Sequence, residues 1–140
     1  MIDFFTDKIT IYNDIPADAV NARRFDRFVV DKCHIVKGRV PRADGTIENL
    51  INGKTVETKN VTRYKPPYEY RQMPVDLAKG FYTVQIGDFV VEGEVDDVVT
   101  TSREFSTLQD KYNERGFVVR TVSENIYGLN VDNISMSNVG

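Results

Sequence analysis

The chain has 140 residues, 41% hydrophobic and 28% charged, with a formal net charge of −3. Such a length favours a single domain (1–140) that buries its own core without staples, and the mild negative charge gives no global pull toward nucleic acid or acidic membranes. Cys33 is the single cysteine, which excludes an intrachain disulfide and suits a reducing compartment. The opening MIDFFTDKITIYN lacks the basic start and long apolar run of a signal peptide, and no apolar run approaches the roughly 20 residues of a membrane span.

Ile2 to Phe5 is a short apolar lead. Lys8 to Tyr12 alternates cleanly and predicts a first strand, with Ile9 and Ile11 on one face. Asn13 to Pro16 breaks it, and Pro16 to Arg24 reads as a single helical turn or a loop. Phe25 to Val30 and Cys33 to Val36 are β-prone runs, either one bent strand or a tight hairpin.

The stretch 39–55 then reads as a long loop excursion, with Pro41, Gly45 and Gly53 around an apolar island of Ile47, Leu50 and Ile51. Loops of that length are usually functional or disordered. Val56 to Tyr64 predicts an edge-like strand. Residues 65–79 form a second excursion, because Pro66, Pro67 and Pro74 cannot donate to a ladder.

Gly80 to Val95 reads as a central hairpin with its turn at Gly87-Asp88. Thr101 and Glu104 have the spacing of a capping box, and Phe105, Leu108 and Tyr112 follow at helical spacing, so a helix is expected over Ser102 to Asn113 with Gly116 as its left-handed cap. Phe117 to Val122 predicts a strand, Ser123 to Gly128 a turn, and Leu129 to Met136 a last strand with a bulge near Asp132-Asn133. The predicted core is Ile9, Ile11, Val29, Ile35, Val84, Ile86, Phe89, Val91, Phe105, Leu108, Val119 and Val122. Many antiparallel strands with one late helix argue for a mainly β fold, a small antiparallel β-barrel or a sandwich.

The residues offer little chemistry. Cys33 and His34 are neighbours on a strand and point to opposite faces, and no second cysteine or histidine completes a metal shell. Glu92 and Glu94 share a strand face, as a glycosidase or a divalent-ion site would need. Without a partner carboxylate they read better as a solvated face or a salt-bridged subunit contact. Lys54, Lys59, Arg63, Lys65 and Arg71 interleave with Tyr64, Tyr68 and Tyr70. That mixture can track a nucleic-acid backbone, and it equally anchors protein interfaces. The expectation is a non-enzymatic protein without cofactor or metal.

Four stretches taken together carry a resemblance: ITIYN (Ile9 to Asn13), VQIGDFVVEGEV (Val84 to Val95), LQDKY (Leu108 to Tyr112) and VRTVSENIYG (Val119 to Gly128). In this order they resemble the small neck proteins of tailed bacteriophages, encoded in the head-completion cluster of siphophages and prophages. The closing LNVDNISMSN lacks the His-and-aromatic ending of many relatives. The resemblance implies a head-closure, or stopper, ring, usually twelve-fold, seated between the portal–adaptor and the tail in the virion neck and assembled in the bacterial cytoplasm. It implies a small β-barrel with long loops, one of which can reach into the channel and hold packaged double-stranded DNA. Here the channel loop would carry Arg39, Arg42, Asp44, Ile47, Glu48, Leu50, Ile51 and Lys54. The subunit or partner interface would carry Lys65, Tyr68, Tyr70, Arg71, Glu92 and Glu94. An adaptor or tail-terminator ring, or a small nucleic-acid-binding barrel, stays open beside it.

Overall fold

A computed structural model describes residues 5–41, 47–128 and 130–139. Its strands are β1 (Asp7–Ile15), β2 (Arg24–Pro41), β3 (Ile47–Thr58), β4 (Phe89–Glu92), β5 (Gly116–Val118), β6 (Thr121–Tyr127) and β7 (Asn130–Ser137). Short helices α1 (Pro67–Gln72) and α2 (Val75–Ala78) lie between β3 and β4, and α3 (Ser102–Lys111) between β4 and β5. The strands form one antiparallel sheet in the order β5-β4-β1-β2-β3-β7-β6, curled into a barrel-like fold.

The two ends of that sheet are consecutive pieces of chain. Only Val119 and Arg120 separate β5, which pairs with β4, from β6, which pairs with β7. The Val119 N–H donates to the Asp88 carbonyl at 2.8 Å, and the Arg120 N–H donates to the Ser137 carbonyl at 2.7 Å. One kinked stretch of backbone thus ties the first strand of the sheet to the last.

β1 is buried on both faces, and this organises the interior. Ile9 and Ile11 join Val30, Cys33, Val56, Tyr82, Val84, Val90, Phe117, Val119, Ile134 and Met136 in the barrel core. Tyr12, on the other face, joins Phe89, Val91, Val95 and Val99 beneath Phe105 and Leu108 of α3. A third, smaller cluster of Ile15, Tyr70 and Ala78 fixes α1 and α2 to the end of β1.

α3 starts as its capping box requires. Thr101 Oγ1 accepts from the Glu104 N–H at 3.1 Å, and the Glu104 carboxylate reaches back to the hydroxyls of Thr101 and Thr100. The bulge near Asp132 is also present: Asn125 pairs with Asn133 and Ile126 with Val131, which leaves Asp132 unmatched.

Several sequence expectations are corrected. Gly80 to Val95 is not a hairpin: β4 pairs with β1 and β5, while Tyr82 touches Tyr64 through an isolated parallel bridge. Gly87 has φ +98°, and the turn it makes delivers the Asp88 side chain inward instead of reversing a ladder. The loop expected over 39–55 is largely strand, because β2 runs to Pro41 and β3 begins at Ile47. Of the two alternatives for Phe25 to Val36, the chain forms the single strand, with Lys32 at φ 56° between the two runs.

In 65–79 the prolines start helices, Pro67 at the first turn of α1 where the missing N–H costs nothing. Ser123 to Tyr127 is strand, not turn. Gly116 is not a left-handed cap; it is small because a Cβ there would stand 2.6 Å from Phe89 Cζ and 2.8 Å from the Val90 carbonyl oxygen. Of the predicted core, Ile86 is 75% exposed, and Val29, Ile35 and Val122 are half-buried. Val30, not Val29, points inward on β2.

Candidate functional site: the β2–β3 arm and the β6 groove

Five of the expected channel residues, Arg39, Ile47, Glu48, Leu50 and Ile51, fall on a ribbon. The β1 ladder along β2 stops at Cys33, and the β7 ladder along β3 stops at Thr55. Past Lys37 and Lys54, among the described residues, β2 and β3 have ladder partners only in each other, through Arg39↔Asn49, Val40↔Glu48 and Pro41↔Ile47. The register shifts at the base of this arm, where Gly38 faces the stretch from Leu50 to Gly53. Arg39 is therefore on β2, and Ile47, Glu48, Leu50 and Ile51 are on β3. Arg42 and Asp44 lie outside the described residues.

Lys54 is not on the arm's tip. It is buried at the arm's root, where its ammonium donates to the Glu114 carbonyl at 2.6 Å and lies 3.9 Å from Glu92. Burial pulls its pKa down, and Glu92 works against that pull. Lys37, directly opposite Lys54 in register, also pairs with Glu92 at 3.4 Å. Glu92 thus holds together two like charges that would repel across the ladder. It is three-quarters or more buried and paired within its own chain, whereas Glu94 is exposed.

The expected interface residues of 65–79 divide in the same way. Tyr70 is 1% exposed and donates to Asp26 at 2.7 Å, which raises its pKa by burial and by that bond, so it offers no surface to a partner. Lys65 lies over the Phe81 ring at 5.1 Å. Tyr68 is exposed, and Arg71 donates to Gln85. The basic and aromatic residues from Lys54 to Arg71 do not make a stacking face. Tyr64 is buried against Tyr82 and donates to Glu124 at 2.5 Å, and Lys59 and Arg63 lie over Phe5 and Phe81.

One surface was not foreseen. An open groove of about 640 Å³ runs beside β6, lined by Tyr64, Pro67, Arg71, Val84, Gln85, Ile86, Val122, Glu124 and Ile126. Ile86 and Ile126 stand on it 75% and 60% exposed. Val122, Glu124 and Ile126 share one face of β6 and carry the only local sign of this surface in the sequence, which turn-forming Ser123, Asn125 and Gly128 mask. Gln85 Nε2 is buried there with no hydrogen-bond partner.

Behind the groove Asp88 is fully buried. Its Oδ1 accepts from the Asp14 N–H at 2.9 Å, and its Oδ2 accepts from Asn13 Nδ2 at 2.7 Å and from the Gln85 N–H at 2.8 Å. Burial pushes this carboxyl up to about 7 against the pull of those bonds. It is a tie between β1 and the 85–88 turn. Among the described residues no group of three His, Cys, Asp or Glu side chains could hold a metal ion, and no helix is long and apolar enough to cross a membrane.

Residues 4–137 match the profile of a family of unknown function, DUF6751. No curated protein and no solved structure matches the chain.

Proposed function

As the chain belongs to the DUF6751 family of unknown function, its role has to be read from its own geometry, and we propose that it is a structural, ring-forming protein of the head-closure kind in a tailed-phage neck. In that role copies of the chain form a ring between portal–adaptor and tail, help retain packaged DNA and present the surface to which the tail attaches. The observation that carries the reading is the arm. A stiff, curled sheet projects a two-stranded ribbon past every other strand of the sheet. A ribbon of that kind is at best marginally stable by itself in water, so it is best explained by contacts made in an assembly. The resemblance of ITIYN, VQIGDFVVEGEV and VRTVSENIYG to neck proteins supports the same reading.

The ring is tested by the mass of the purified protein across a concentration series, alone and with a portal–adaptor complex. A closed oligomer is expected, and a chain that stays monomeric in both settings overturns the proposal. The gate is tested by deleting Ala43 to Gly53. Heads carrying the deletion should leak DNA or fail to join tails. If filled heads keep their DNA and tails still join, the arm is not the gate.

A further inference from the structure

Resting on the ring reading and deepening it, we propose that the β2–β3 arm of one copy lies in the β6 groove of the next, adding a strand to the β6 edge. The arm and the groove are each incomplete alone. The arm is a ribbon with an apolar island at Ile47, Leu50 and Ile51 in its sequence. The groove has an apolar wall in Val84, Val122 and Ile126. β6 ends the sheet order, so one of its edges has no ladder partner there. An unpaired edge beside an apolar wall is what an added strand takes: its backbone bonds give affinity and the wall gives specificity.

Strand direction excludes the chain's own arm as the occupant. The β6–β7 ladder runs from Thr121↔Ser137 to Tyr127↔Asn130. β3 joins it at Thr55↔Ser137 and then runs on past that end into the arm. The groove opens the other way, along Val122 to Ile126. Each arm therefore leaves its chain heading away from its own groove, so in a ring of copies the arm that reaches a groove is a neighbour's. A contact of arm into groove is head-to-tail, so it repeats and closes into a ring when its rotation permits.

The test uses two defective chains. Ile126→Arg blocks the groove. Replacing residues 39–51 by a short glycine–serine link removes the arm. Circular dichroism melting checks that each folds, and Ile86→Arg on the same groove replaces Ile126→Arg if that variant does not. By light scattering each chain alone should be monomeric, and an equal mixture should give one-to-one heterodimers, because one intact arm and one intact groove remain. If the unaltered chain assembles and the groove-blocked chain assembles equally well, or the mixture stays monomeric, the arm does not occupy the groove. An unaltered chain that never assembles, alone or with a portal–adaptor complex, overturns the ring reading itself.

Discussion

The ammonium of Lys54 donates to the backbone carbonyl of Glu114 at 2.6 Å, so the root of the arm is fastened to the turn that follows α3. The fastening crosses the molecule, from β3 to the approach to β5. Its effect is to stiffen the base from which the ribbon projects.

Lys54→Met keeps the length of the side chain and removes the donor. It leaves a carbonyl without its bond and leaves Glu92 with Lys37 as its remaining ion pair. The expected loss is roughly 1–3 kcal/mol, read from the urea midpoint. A midpoint equal to that of the unaltered chain would mean that the contact carries no stability.

Asp88 predicts a pH profile. Its carboxyl is raised from 3.8 to about 7 in the folded chain. Across that window the folded state keeps a proton that the unfolded state has released, so this group's contribution falls as pH rises. At about 1.4 kcal/mol per unit, the full loss is on the order of 4 kcal/mol. Groups with lowered values, such as Asp97 and Glu104, contribute in the opposite sense. The measurement is therefore the difference in stability between the unaltered chain and Asp88→Asn, followed from pH 4 to pH 7. That difference should move against the unaltered chain as pH rises, and a flat difference would refute the assignment.

Gly116 tests the approach of β5 to β4. A methyl group there would meet Phe89 Cζ at 2.6 Å and the carbonyl oxygens of Val90 and Tyr112 at 2.8 and 2.9 Å. Gly116→Ala should cost at least about 1–3 kcal/mol. Because the ring could yield but the backbone could not, Gly116→Ala should still lower the thermal midpoint when made in a Phe89→Leu background, by less than in the unaltered chain, Phe89→Leu being itself destabilising in the core. No loss in that background would show that the carbonyl contacts are unimportant.

Cys33 should be inert in the folded protein. Burial pushes its thiol up to about 12 from 9.0, so almost no thiolate exists near neutral pH, and the sulfur is enclosed by β1, β2 and β3. Labelling by a disulfide reagent should proceed only as fast as the chain unfolds, and urea should release it. The same shift lowers stability as pH rises from 9 toward 12, since the unfolded chain gives up the proton first. Rapid labelling without denaturant would contradict the burial.

What was legible in the sequence was local and self-contained. The Thr101–Glu104 box needs only four consecutive residues, and the phase change at Asp132 is written in one strand. What was not legible depends on remote partners. Alternation implies one wet face, but β1 is covered on both sides, so Tyr12 gave no sign of being core. Gly87-Asp88 has hairpin chemistry, yet Asp88 is turned inward by Asn13 and the Asp14 amide, some 75 residues earlier in the chain. Pro41 and Gly53, which with their neighbours suggested a loop over 39–55, sit at the end of β2 and at the base of a ribbon, where they are tolerated. The groove joins α1, the 84–86 segment and β6, a juxtaposition that no local pattern announces.

The kinked stretch from Gly116 to Tyr127 also sets a timetable. It supplies both ends of the sheet, and β7 follows it in the chain. While a ribosome is still short of these residues, β4 and β3 each have a bare side where β5 and β7 will later lie. The nascent molecule is then an open sheet with two adhesive margins. Cover for these margins arrives late in translation, when β5 closes the β4 side and β7 closes the β3 side. Chains stalled before Gly116 should therefore pair indiscriminately through the β4 and β3 margins, which the finished chain has covered.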